Sequence, residues 1–426
     1  MDKMKIAADL VRSGEITYID YVSEISAAEM DISEGRFRPW DVSYWKTVRR
    51  AHSDGKKVVF VSGPVPPEVL YAMDCIPFYV DFFPSRLLQN AYLSSWLIGE
   101  TEKKVNPDLC RLNKIQIGSL LAGNMGVIPD AYISAPIPCD SARTAYFSME
   151  RLIKAPSFHF DIPICRNSRS LDYIEVQFGA FINFIERITD KKLDWESLRY
   201  RIDLSNKSAE LLERCSLLRK VRPCPMSSHM NIWNELMNAF APTEEMLSLL
   251  QKELEICRSR IETGESPCPD GEKHRLLLMH NMLWQGLDLM DWLESEYGAV
   301  TVMDGYSFRK REFFDHPDDR ADCFKIMCRR MLYGSTAHGA GAFGDDILDA
   351  AYGVINDYSA DVSIFLGSSG CRHEWASLKM LTDSIFDKFG IPTLIFVIDN
   401  ADMNYKSDGE IKSAISQYMD TVINKN

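Results

Sequence analysis

No stretch of this 426-residue sequence approaches the roughly eighteen consecutive apolar residues of a membrane span, so a membrane protein is not expected. Clustered basic residues are also missing: Asp and Glu outnumber Lys and Arg by 61 to 48, for a formal charge of −13, which argues against a nucleic-acid footprint. There is no CxxCxxC run and nothing resembling an ATP site. The glycine-rich piece GSTAHGAGAFG has no strand leading directly into it and no GK[ST] after it. It reads as a flexible helix–helix connection or, failing that, as a functional loop of another kind. The amino terminus, MDKMKIAADLVRSGE, lacks the continuous apolar segment of a secretory signal, and a cytoplasmic protein is expected. Eleven cysteines in a chain of this length are too sparse for a disulfide scaffold. In a reducing compartment they stay thiols, and serve as core fillers, metal ligands or nucleophiles.

What is present is enough apolar residue, 46% of the chain, to bury a large core in two or three domains. The stretch ADVSIFLGSSGCR, Ala360 to Arg372, ends a buried strand in a loop of small residues that delivers Cys371. Trp375, Leu378, Leu381, Ile385 and Phe389 then keep a helical period up to Gly390, before TLIFVID resumes as a strand. An earlier stretch repeats the order, with a strand at Ala131–Ala135, then Cys139, a helix from Asp140 and a strand at Ser157–Ile162. Upstream of each unit lies another strand–helix–strand, KKVVFVSG to PFYVDF and HRLLLMHN to AVTVMDG. The order of elements predicts an α/β fold of two doubly wound, Rossmann-like parallel-sheet lobes. Ligands gather beyond the carboxyl ends of such strands, which is where both thiols fall.

The segments VQFGAFINFIERI, WESLRYRIDLSNKSAELLERCSLLRK and EMLSLLQKELEICRSRI are helical without strands. The expected organisation is therefore a helical segment at 1–55 with a helix at Trp40–His52, a first α/β domain at 56–168, a helical linker at 169–268 and a second α/β domain at 269–426. NPDLCRLNKIQIGSLLAGNMG predicts a helix beginning near Pro107, with Cys110 in its first turn or two. Cys110 is then either a buried small apolar residue or a thiolate favoured by the helix dipole, as suits a metal ligand. Cys215 and Cys257 lie on helical patterns as core residues, and Cys224 and Cys268 sit in Pro-flanked loops. Cys323 and Cys328, five residues apart on one helix, point roughly 140° away from each other and cannot share one metal without distortion.

Taken together, PPEVLYAMDCIPF, DLCRLNKIQIGSLLAG, SAPIPCDSARTAYFSMERL and GSSGCRHEWASLKMLTDSIFDKFGIPTLIFVIDNADMN resemble the 2-hydroxyacyl-CoA dehydratase and benzoyl-CoA reductase family, larger-subunit type, from about residue 55 to 422. The resemblance implies a [4Fe-4S] cluster between two α/β domains, held by the matching positions Cys110, Cys139 and Cys371. It implies a lyase subunit that eliminates water from a 2-hydroxyacyl-CoA to give an enoyl-CoA, through a ketyl radical formed by one-electron reduction. The implied partners are a homologous second subunit in a heterodimer, an ATP-dependent iron–sulfur activator protein and an acyl-CoA substrate. The alternatives are a subunit of a benzoyl-CoA reductase-like enzyme, a non-catalytic electron-relay subunit, or a double-cubane protein. Two departures bear on the substrate: Asp74-Cys75 stands where many members have Gly, and DGEIKSAISQYMDTV lacks the usual Arg-rich character. Such a reaction needs a donor for the developing oxyanion and an acid/base group. By position near the end of the first strand, Ser62 and Glu68 are the catalytic candidates, followed by His280, Asp304 and Ser369; Asp304 and Tyr306 fall at another strand's carboxyl end.

Overall fold

The computed structural model describes residues 3–25, 39–88, 90–105, 108–137, 139–228, 241–279, 288–304, 307–308, 311–334, 344–399, 401–402 and 404–423. Helices α1 (Lys3–Ser13) and α2 (Pro39–Arg50) form the amino-terminal segment. The first lobe follows as β1 (Lys57–Ser62), α3 (Pro67–Ala72), β2 (Cys75–Tyr79), α4 (Ala91–Glu102), α5 (Arg111–Ala122), β3 (Ala131–Ser134), α6 (Asp140–Leu152) and β4 (Ser157–His159). Three long helices, α7 (Ser168–Thr189), α8 (Trp195–Leu218) and α9 (Glu244–Thr263), lead to the second lobe. There the order is β5 (His274–Leu278), α10 (Asp288–Tyr297), β6 (Ala299–Asp304), α11 (Arg320–Tyr333), α12 (Asp345–Tyr358), β7 (Val362–Ser368), α13 (Arg372–Phe389), β8 (Thr393–Ile398) and α14 (Asp408–Tyr418).

Each lobe is built on a four-stranded sheet, ordered β2-β1-β3-β4 in the first and β6-β5-β7-β8 in the second, and every pairing is parallel. The two orders are the same pattern. The chain leaves the first strand of each sheet to one side, crosses back, and continues on the other side, so the switch point lies between β1 and β3 and between β5 and β7. Helices on both faces explain the apolar runs that build the strands: β2, β3, β6 and β7 are buried throughout. The edge strands β4 and β8 are the exceptions: β4 is half-buried, and Ile395 and Val397 of β8 are in contact with solvent.

The two doubly wound lobes and the helical amino-terminal segment agree with the sequence expectation, and the helix expected at Trp40–His52 lies at Pro39–Arg50. Two elements differ. The strand expected to reach Ile162 stops at His159, its pairing ending with the bond from the Phe160 amide to the Ser134 carbonyl (2.8 Å) ahead of Pro163. The helix of the DLCRLNK segment starts after Cys110, whose extended φ and ψ of −53° and 136° make it the N-cap.

Side-chain ties hold the helical linker to the second sheet. Arg275, buried in β5 and paired with Glu272 (2.7 Å), donates to the carbonyls of Arg219, Val221 and Tyr358, closing the carboxyl ends of α8 and α12. Gly63, which turns the chain after β1, has a φ of +79°, and a Cβ there would stand 2.1 Å from the Ala135 carbonyl oxygen. Only glycine meets both demands, so the tight turn holds the ends of β1 and β3 together.

Candidate metal centre

Cys139 follows β3 and Cys371 follows β7, the third strand of each sheet, so the shared topology sets the two loops at equivalent edges beside the two switch points. Cys110 comes from the connection leading into α5. All three are N-cap residues, of α5, α6 and α13, and none of their side chains makes the capping bond to the first turn. Asn90, Asn167, Asp194, Thr243, Asp319 and Ser407 do make that bond for α4, α7, α8, α9, α11 and α14. Three long helices therefore start on sulfur where others start on oxygen.

Contacts made pairwise bring the three helix starts together. The Cys110 amide donates to Ser141 Oγ on α6 (2.9 Å). Arg372 on α13 reaches Asp140 on α6 (3.4 Å). A Cβ added at Gly370 would lie 3.4 Å from the Cys110 Cα, so the loop before α13 rests on the start of α5. A cavity of about 110 Å³ opens at this junction, with Asp108, Asp140, Ser141, Gly370 and Arg372 in its wall. Of the eleven cysteines, seven are buried and Cys165 is exposed, while the three at the helix starts are the ones of intermediate burial.

Burial pushes the Cys110 thiol up to about 12, and the neighbouring Cys139 adds to the rise against the amides of Leu112 and Asn113. Burial likewise raises Cys139 and Cys371, and Cys371 also feels both Cys110 and Cys139. The three thiols are therefore near enough that ionising one opposes ionising another. Among the described residues, no three His, Cys, Asp or Glu side chains are arranged around a single-ion position.

The junction is fastened from both lobes. Arg111, directly after Cys110, pairs with the buried Asp399 after β8, and Ser369 Oγ donates to the same carboxylate (2.7 Å). Ser369, one of the sequence candidates, is thus part of an inter-lobe clasp. Ser62 ends β1, enclosed, with the Tyr132 hydroxyl donating to its Oγ (3.3 Å). Glu68 is buried on α3, where its Oε1 accepts from Ser205 Oγ of α8 (2.6 Å) and Arg330 of α11 (3.0 Å); neither partner belongs to the cysteine loops. Asp304 ends β6 and accepts from the Ser307 amide and hydroxyl (3.1 and 2.6 Å). His280 and Tyr306 lie outside the described residues.

The sequence reading passed over Asp81. It stands just beyond β2, and its carboxylate accepts from the Gly63 amide (2.5 Å), the Tyr146 hydroxyl (2.8 Å) and Gln116 Nε2 (2.9 Å). Those donors favour the anion, yet burial outweighs them and pushes the carboxyl up to about 6. Gln116 accepts from Asn113 (2.7 Å), Asn113 accepts from Ser141 (2.7 Å), and Ser141 accepts from the Cys110 amide (2.9 Å). An unbroken polar chain therefore runs from Asp81 to the backbone of Cys110. Its place two residues beyond the buried strand β2 was a faint sequence signal, and none of its partners is local.

Residues 64–422 match the family model described as 2-hydroxyglutaryl-CoA dehydratase, D-component. The (R)-phenyllactyl-CoA dehydratase alpha subunit of Clostridium sporogenes is 21% identical over 304 residues, which cover 70% of this chain and 72% of that one. With two equivalently wound lobes and a match spanning both, the chain belongs to the 2-hydroxyglutaryl-CoA dehydratase D-component family.

Proposed function

We propose that this chain is the iron–sulfur subunit of a 2-hydroxyacyl-CoA dehydratase, a lyase that removes water from a 2-hydroxyacyl-CoA to leave an enoyl-CoA. The observation that carries the proposal is the meeting of Cys110, Cys139 and Cys371 at three helix starts where the lobes join. Membership of a dehydratase family supports the reaction class. The name of the curated relative, an alpha subunit, supports a second subunit as partner and a CoA thioester as substrate. An ATP-dependent activator belongs to the proposal as the source of the electron.

Three thiols brought in from three separate helix starts would suit a [4Fe-4S] cluster, whose ligands bind different irons and stand further apart than the ligands of one ion. Helix starts place partial positive charge beside the sulfurs, which stabilises thiolates bearing the negative charge of a cluster. When bound, the cluster would supply a one-electron reductant together with a Lewis-acidic iron left without a protein thiolate.

The chain's own groups do the rest. Cys110, Cys139 and Cys371 give up their protons and hold the group. The clasp of Arg111 and Asp399 closes the lobes over it and limits water. Asp81, with a carboxyl pushed up to about 6, can take up a proton and release it near neutrality. Ser62, enclosed at the end of β1, is the donor in this reading. Glu68 would have to leave Arg330 and Ser205 before it could exchange a proton with a substrate, which favours Asp81 over Glu68 for that role.

The test is anaerobic purification of the chain with its partner subunit, followed by iron quantification and an assay against aryl- and alkyl-substituted 2-hydroxyacyl-CoA esters with activator, ATP and reductant. Cys139→Ser is expected to lower the iron bound per chain and to abolish turnover. Full iron content in that variant would remove Cys139 from the ligand set. Consumption of reductant in step with product would instead identify a reductase.

A further inference from the structure

The polar chain between Asp81 and Cys110 has a direction, and the carboxylate sets it. An ionised carboxylate offers only acceptors, so Gln116 must turn its Nε2 toward Asp81 Oδ1 (2.9 Å). That leaves Gln116 Oε1 for Asn113 Nδ2 (2.7 Å), and Asn113 Oδ1 for the Ser141 hydroxyl (2.7 Å). Ser141 Oγ then remains as the acceptor for the Cys110 amide (2.9 Å). All four hydrogen bonds point one way, each hydrogen directed toward the carboxylate. Gln116 and Asn113 are buried, so bulk water does not screen the middle of the chain. Asp81 itself is only half-buried, which lets a proton from solvent reach it.

The other titratable groups facing Asp81 do not share its titration. Tyr146 from α6, Tyr132 from β3 and the Cys139 thiol each feel its charge, and burial holds all three above their ordinary values. The Gly63 amide after β1 and Gln116 of α5 are neutral donors. None of these groups is a cation. Negative charge at Asp81 therefore acts on two of the three thiols, on Cys139 across space and on Cys110 along the hydrogen bonds.

We propose that Asp81 is a positioning residue for the metal centre: acting through Gln116, Asn113 and Ser141, its carboxylate keeps a bound cluster strongly reducing and takes up a proton when an electron arrives there. This rests on the iron–sulfur reading. The activator supplies one electron and solvent supplies one proton; an O–H bond forms at Asp81, and no other bond is made or broken. An anion beside thiolates opposes added negative charge and so lowers the potential, and protonating it removes that opposition. One-electron reduction of a thioester demands a strong reductant, which a retained carboxylate helps to provide.

The test is a redox titration of the anaerobically purified chain with its partner and without substrate, reading reduced cluster by electron paramagnetic resonance. Variants are made in this chain only, so any signal from the partner stays fixed. Asp81→Asn removes the charge; because Gly63 and Tyr146 both donate to Oδ2, it also turns an amide NH2 toward Gln116 and reverses the chain. The ratio of reduced to oxidised cluster at a fixed potential is expected to rise about tenfold. Gln116→Met keeps the charge and cuts the chain, with an expected rise of about threefold, and reports on the proposal should Asp81→Asn fail to fold. Combining the two should add nothing to Asp81→Asn, since both act along one chain. The potential of the unmodified protein should fall as pH rises from about 6 to about 8, and that slope should vanish in Asp81→Asn. Ratios that both variants leave within about twofold, shifts that add in the double variant, or a pH slope that survives Asp81→Asn would overturn this role of Asp81 alone. An unmodified chain that binds no iron would overturn the iron–sulfur reading, and this role with it.

Discussion

Burial keeps the Asp81 carboxyl protonated up to about pH 6 even though three donors point at it. Its folded pKa is therefore raised above the ordinary value of 3.8, and the sign of the consequence follows. Between those values the folded chain binds more protons than the unfolded one, so this group's contribution is complete below about pH 4 and is lost as pH rises through about 6. Asp81→Asn removes the titration while keeping the shape. The stability of the unmodified protein relative to that variant should fall by up to about 3 kcal/mol between pH 4 and 7, read from denaturant midpoints at several pH values. A constant difference across that range would show that Asp81 does not titrate there. The positions of Cys139 and Cys371 between a strand and a helix start were legible in the sequence because those surroundings are local, within some thirty residues. Asp81 was not, because its importance comes from Gly63, Gln116 and Tyr146, which lie on three other elements.

Helices carry the same lesson in a different form. Periodicity located α7, α8, α9 and α13, because an amphipathic stripe is written in the residues themselves. The start of α5 was placed too early, since proline and polar residues mark where a helix is able to begin and the N-cap is fixed by neighbours. Here the Cys110 amide is turned toward Ser141 of α6, a choice made thirty residues further along. Partners of α3 were equally invisible: Glu68 meets Arg330 from the other end of the chain, and α8 and α11 are pinned to α3 through them. Glu68 is 3% exposed, so Arg330→Met should leave an unpaired buried carboxylate and cost about 3 kcal/mol. Adding Glu68→Gln should recover part of that loss. Denaturation of the two single variants and the double variant measures the coupling directly, and additive losses would contradict it.

The molecule as a whole is two copies of one strand order, joined by long helices and fastened at the edge where both sheets end. That plan was readable as a repeated sequence of elements. The fastening was not, because it depends on Arg111 of one lobe finding Asp399 of the other. Arg111→Ala should speed amide hydrogen exchange at residues 108–111 and 369–372 while leaving the central strands β1 and β7 protected. Faster exchange throughout both sheets would mean that the clasp supports the fold itself.

The clasp has a geometric consequence. Cys110 and Cys139 belong to one lobe and are tied through Ser141, whereas Cys371 rides on the other. Any swing of one lobe against the other would therefore leave the spacing of Cys110 and Cys139 unchanged and alter the distance of Cys371 from both.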